Sequence, residues 1–163
     1  MALGTLQIVK IPDPVLSQTC LVWDFNDPTS VLLGLTADAM IRLCEESNGV
    51  GLAAPQVASN QRFFVMRAKP EDEKDHSYIT VVNPKICIGV GLETGREGCL
   101  SIPGFVGDVE RMHTIDVEYQ DPTGKYIQTS FTDLAARVFQ HELNHCDGVL
   151  FPMVAKKLYR VFV

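Results

Sequence analysis

The sequence predicts an α+β domain: an antiparallel or mixed sheet packed around a central helix, with another helix N-terminal to it. Three observations lead there. Strand-like runs are mixed with only two segregated helical segments, no regular strand-helix-strand alternation is present, and no internal repeat is found. The 163 residues, 46% of them hydrophobic, suit one core and therefore a single domain spanning residues 1–163.

The first helical segment runs from Asp27 to Gly49. Pro28 suits a first helical position, and Leu32, Leu35, Ala39, Met40, Leu43 and Cys44 recur at the i, i+3, i+4, i+7 spacing of one apolar face, ending at Asn48-Gly49. Gly49-Val-Gly-Leu-Ala-Ala-Pro-Gln56 holds too many breakers to continue that helix and is too apolar for a solvated linker, so it reads as a loop or short extended piece held inside the structure. Strands are expected at residues 62–68, 78–83 and 86–92, with the charged run Glu71 to His76 as a solvated connection. Alternating apolar residues on either side of Asp121-Pro-Thr-Gly124 predict a hairpin between His113 and Phe131. Thr132 to Gly148 then has helical periodicity, with Thr132 as N-cap and Gly148 just past the C-terminus.

Composition narrows the function classes. A net charge of −6 would repel a phosphate backbone, which argues against nucleic acid as main ligand. Charged residues interrupt every apolar run before the roughly 20 residues needed to cross a bilayer, so no membrane partner is expected. The N-terminus has the pattern of neither an export signal nor a transit peptide, which predicts a cytoplasmic location. Five cysteines without regular spacing do not form a disulfide framework, and the default for each is a small buried apolar residue.

His141-Glu142-Leu-Asn-His145 on the second helix is the H-E-x-x-H pattern. With about 100° per residue, His145, Leu134 and Val138 fall within roughly 60° of His141, and Glu142 lies at the edge of that face. Two imidazoles one turn apart suit a divalent ion, and a catalytic ion needs a third protein ligand and one position left for water. Phe151 stands where a metzincin needs its third histidine, and residues 146–163 contain no Glu for a thermolysin-like ligand. The remaining donors are His76, His113, various carboxylates and the cysteines. Among them Cys99, in Glu97-Gly-Cys-Leu-Ser-Ile-Pro-Gly104, has the breaker-rich surroundings that let backbone approach a bound group; Cys146 points elsewhere on the helix. Cys99 is taken as the third ligand.

Gly49-Val-Gly-Leu-Ala-Ala-Pro-Gln56, Glu97-Gly-Cys-Leu-Ser101 and Gln140-His-Glu-Leu-Asn-His145 resemble the three motifs of the peptide deformylases, in that family's order and at similar spacing. The resemblance implies a hydrolase that removes the N-formyl group from the N-terminal methionine of new polypeptides and releases formate. It implies Cys99, His141 and His145 as ligands of one divalent ion, natively Fe²⁺ with Zn²⁺ or Ni²⁺ as substitutes. Glu142 would be the acid/base, and Gln56 with the Leu100 backbone N–H would bind the formyl oxygen. Substrate backbone would pair beside Gly51 and along the segment at Cys99, with Gly98 among the binding positions and Val50, Leu134 and Val138 around the methionine side chain.

Departures from the family pattern accompany this. Asn144 replaces a common aspartate, which implies altered hydrogen bonding without loss of activity. Val106 stands where some bacterial forms have a substrate-engaging arginine, and Arg137 where they have an aliphatic pocket residue. Only 18 residues follow His145, as in short forms such as phage-encoded members that lack a C-terminal helix. Glu97 is expected to pair with Arg111 and brace the Cys99 segment. The competing classes are a metal-stabilised binding module, with His113 as a fourth ligand, and a zinc endopeptidase.

Overall fold

The computed structural model describes residues 6–162. Helix α1 spans Leu33–Glu46, and helix α2 spans Asp133–Cys146. Strands β1 (Gly51–Ala53), β2 (Phe63–Arg67), β3 (Tyr78–Gly98), β4 (Phe105–Gln120) and β5 (Tyr126–Thr132) follow one another across an antiparallel sheet, and β6 (Ala155–Arg160) pairs with the first half of β4. A short helix, α3 (Phe151–Val154), joins α2 to β6.

Strand β2 explains the layering. Its side chains alternate in direction, as in any strand, yet Phe63, Phe64, Val65 and Met66 are all buried, because both faces are covered. Phe64 and Met66 pack with Ala135, Ala136, Val138 and Phe139 of α2, and Phe63 and Val65 pack with Leu33, Ala37, Met40 and Cys44 of α1. Helix α2 is thus held on the inner face of the sheet, against β4 residues Ile115, Val117 and Tyr119 as well.

The first helical segment begins as a 3₁₀ turn, Pro28–Leu32, whose N-cap Asp27 accepts from the Thr29 backbone N–H. Met40 and Cys44 lie on its buried face as expected, but the first turns differ: Leu32 and Leu35 are exposed, and Leu33 and Ala37 are inside. Gly49–Gln56 is an internal piece, formed by β1 and a buried 3₁₀ turn, Ala54–Val57. The strands expected at 78–83 and 86–92 are one strand, β3. The Asn83-Pro84 interruption is a register shift within it, Asn83 having a φ of 51°, so pairing resumes at Lys85. β3 also continues to Gly98, six residues past the expected end, paired with β4 down to Gly98↔Val106.

In the hairpin, Asp121 Oδ1 accepts from the Thr123 and Lys125 N–H groups, and Gly124 adopts a φ of 86°. Thr132 is the N-cap of α2 without a capping side-chain hydrogen bond. Cys20, Cys44 and Cys146 are buried as expected, Cys99 is half-buried, and Cys87 departs from the expectation by lying exposed on β3. Among the described residues no helix is long and apolar enough to cross a membrane.

Candidate metal centre

Helix α2 presents His141, Glu142 and His145 toward the end of β3, where the chain leaves the sheet at Cys99 and turns, the Ile102 N–H bonding to the Cys99 carbonyl at 2.9 Å. The ligand atoms of Cys99, His141 and His145 all lie within 4.8 Å of one another. Cys99 Sγ is 3.2 Å from His145 Nε2, and the two imidazole centroids are 5.1 Å apart. The other nitrogen of each ring faces a different environment. His141 Nδ1 is 2.9 Å from Glu97 Oε2, whereas His145 Nδ1 is buried with no hydrogen-bond partner among the described residues.

Glu97 organises this side of the centre. Arg111 pairs with it through two nearly parallel hydrogen bonds of 3.0 and 2.9 Å, as expected, and Arg111 also donates to Asn144 Oδ1. Burial opposes ionisation of Glu97, but the hydrogen bonds from His141 and Arg111 outweigh it and hold the carboxyl at about 2. The same balance divides the two imidazoles in the metal-free protein. Burial disfavours the charged form of both; at His141 the Cys99 and Glu97 contacts reverse this and raise it to about 10, whereas His145 stays well below the usual histidine range.

Glu142 borders the ligand face, as its place on the helix implies, and is buried there. It is 4% exposed, because the β1 backbone closes over it: a Cβ on Gly51 would lie 2.5 Å from Glu142 Oε1. Burial pushes its carboxyl up to about 7, and Oε2 has no partner among the described residues. Gln56, also buried, accepts the Ala53 N–H on Oε1 at 2.9 Å, which turns Nε2 toward Cys99 Sγ (3.5 Å) and Ser101 Oγ (3.2 Å).

A cavity of about 370 Å³ opens onto Cys99, His141 and Glu142. Val50, Val138 and Leu134 line its apolar side, Leu134 being the most exposed of them at 40%. Gly51, Gly98 and Leu100 border the same cavity. His113, weighed as a fourth ligand, lies elsewhere, half-exposed and 2.8 Å from Asp133 Oδ1. The sequence reading missed the Ser101 contact to Gln56, the Glu97 contact to His141 and the reach of Arg137 to Glu97 (2.9 Å). The last had a signal, since residue 137 precedes His141 by four and shares its helix face.

The polypeptide deformylase family model matches residues 5–161. The chain belongs to the polypeptide deformylase family. It is 40% identical over 152 residues to a peptide deformylase 2 of Nostoc sp., covering 90% of this chain and 83% of that protein. The crystal structure of peptide deformylase from Thermotoga maritima superposes with a TM-score of 0.84 at 37% identity, covering 94% of this chain and 99% of the other. The Met-Ala-Ser-bound peptide deformylase of Acinetobacter baumannii gives 0.84 at 33% identity, covering 92% and 98%. The chain is thus a deformylase by family, a hydrolase that removes the N-formyl group from new polypeptides.

Proposed function

We propose that this chain, as one catalytic domain, deformylates N-terminal formylmethionine through a divalent ion held by Cys99, His141 and His145, with Glu142 as proton carrier. The observation that carries the reading is the convergence of one sulfur and two imidazole nitrogens within 4.8 Å, beside a buried carboxyl oxygen that has no partner among the described residues. The donor set fits such an ion: a thiolate and two neutral imidazoles suit Fe²⁺, Zn²⁺ or Ni²⁺, and three protein ligands leave room for water. We assign Fe²⁺ as the native ion, with the other two as substitutes. When bound, the ion supplies a Lewis acid that activates water and draws charge from the formyl oxygen.

The protein's own groups do the rest. A carboxyl near 7 can both accept and give a proton at neutral pH, so Glu142 Oε2 takes one from the attacking water and delivers it to the departing amine. Gly51 is required beside it, since any side chain there would occupy the carboxylate's place. Gln56 Nε2 and the Leu100 N–H donate to the formyl oxygen as charge gathers on it. Gly51 and Gly98 flank the substrate backbone, and Val50, Leu134 and Val138 receive the methionine side chain. Selection of formyl over acetyl would come from steric exclusion of the extra methyl beside the ion. The Met-Ala-Ser peptide bound to the Acinetobacter baumannii relative supports a nascent N-terminus as partner; we assign the enzyme to the cytoplasm, and the net charge of −6 supports a partner other than nucleic acid. Because His113 pairs with Asp133, it does not close a fourth position as a binding module would require.

Glu142→Gln tests the assignment. The variant should retain its metal and lose formate release from formyl-Met-Ala-Ser by on the order of 10²- to 10⁴-fold. Undiminished release would refute Glu142 as proton carrier, and cleavage of internal bonds in unformylated peptides would point to an endopeptidase instead.

A further inference from the structure

The four hydrogen bonds that reach Glu97 divide evenly between its oxygens. Oε1 accepts from Arg111 Nε at 3.0 Å and from Arg137 Nη1 at 2.9 Å; Oε2 accepts from Arg111 Nη2 and from His141 Nδ1, both at 2.9 Å. An ionised carboxylate offers about four lone-pair positions, so every one is filled and the group cannot turn without breaking a bond. Arg137 and His141 stand four residues apart on one face of α2 and grip opposite oxygens of the same carboxylate.

Arg137 spends its other donors on main chain. Nη1 also reaches the Val109 carbonyl on β4 at 2.9 Å, and Nη2 the Glu93 carbonyl on β3 at 2.8 Å. Its side chain is only 13% exposed. Gly95, on β3, makes the space: a Cβ there would lie 2.8 Å from the guanidinium carbon. One planar fork therefore ties the helix that carries two of the assigned ligands to the strand that leads into the third.

We propose that Arg137 is a positioning residue for the metal centre: it locks Glu97 so that Oε2 holds the His141 ring with Nε2 presented toward Cys99 and His145. This rests on the reading of Cys99, His141 and His145 as ligands. An arginine is needed because a lysine ammonium cannot reach a carboxylate and two carbonyls from one rigid plane. If Arg137 were only a wall of the substrate cavity, replacing it would change KM and leave the metal untouched.

Co²⁺ is the probe, because its visible absorption and thiolate charge-transfer band report the geometry of a Cys/His/His set without turnover. Arg137→Leu, Arg137→Lys and Gly95→Ala are titrated with Co²⁺ and assayed on formyl-Met-Ala-Ser. Arg137→Leu should weaken Co²⁺ binding by about 10- to 100-fold and shift its bands. It should also lower kcat while KM moves less than about threefold. Arg137→Lys should recover only part of the loss. Gly95→Ala keeps both charges but displaces the guanidinium, so it should move every readout in the same direction, and it keeps the test open if the Leu variant fails to fold. The proposal is overturned if Co²⁺ affinity stays within about twofold with unchanged bands in these variants, or if the effect is confined to KM. Wild-type protein that binds Co²⁺ with a thiolate band yet releases no formate would overturn the deformylation assignment alone, and the role of Arg137 would still be read from the titrations.

Discussion

Burial raises the Glu142 carboxyl to about 7, and the same desolvation that readies it for proton transfer weighs on the fold. An acid with a folded value above its ordinary 4.5 is most favourable to folding while protonated, so that contribution is complete below about pH 4.5 and is lost as pH rises through 7. The difference corresponds to roughly 3 kcal/mol. In metal-free protein, Glu142→Gln should therefore match wild type at pH 4.5 and become more stable by up to about 3 kcal/mol at pH 8, read from denaturant midpoints. A gap that stays constant across this range would contradict the burial of the Glu142 carboxyl. For Gln56, the amide is already fixed by the Ala53 N–H, so its donor acts without reorganisation. Gln56→Leu should lower kcat by about 10²- to 10³-fold with the metal retained, and a change confined to KM would assign Gln56 to binding alone. Helical geometry placed the histidines, because it requires only the chain's own period. It set Glu142 at the edge of the ligand face but carried no sign of its burial, since the cover comes from Gly51, some ninety positions earlier in the chain.

At the level of elements, the two helices and the hairpin were legible because each carries its own periodicity and punctuation. Strand β3 from Glu93 to Gly98 and the whole of β6 were not. Glu-Thr-Gly-Arg-Glu-Gly has no apolar alternation, and it is extended only because β4 supplies its hydrogen bonds, register by register. Likewise, the half of β4 before His113 faces β3 on one side and β6 on the other, so its conformation is set by partners and not by its own pattern. The end of α2, by contrast, is written locally. The Val149 N–H returns to the Asn144 carbonyl at 2.8 Å and the Gly148 N–H to the His145 carbonyl at 3.2 Å, a Schellman closure with Gly148 at a φ of 72°. A second constraint comes from packing, since a Cβ on Gly148 would lie 2.9 Å from backbone atoms of Ser17 and Gln18. Gly148→Ala should thus cost at least about 1 to 3 kcal/mol. Gly148→Asn, although it tolerates the positive φ, should fail to rescue stability because the contact is with backbone; recovery to the wild-type midpoint would show that φ alone requires the glycine.

Across the whole molecule, three hydrophobic clusters converge on the centre. Val50 and Val138 belong to the cluster between α2 and the sheet, Leu100 packs on the one beneath α1, and Cys99 packs on the third, formed by Leu16, Ile102, Val109, Leu150 and Phe151. The motifs could be read from the sequence because ligation restricts residue type, whereas the convergence could not, because it depends on how the β3–β4 ribbon docks against α2. Cys99 and His145 are 46 positions apart, so their ligand atoms meet only once that docking is complete. Metal affinity is then available chiefly to the folded chain and adds to its stability by mass action. With free ion at about one hundred times Kd, the gain is about 2.7 kcal/mol. For a chain of this size, that corresponds to a rise in Tm of roughly 5 to 11 °C. Adding Zn²⁺ to chelator-treated protein should produce this rise in a calorimetric scan. Cys99→Ala should abolish most of it while leaving the metal-free Tm nearly unchanged, because a half-buried thiol contributes little packing of its own. If the metal-dependent rise survived removal of that sulfur, the ion would be held elsewhere, and the three-donor centre assigned to this end of the sheet would be wrong.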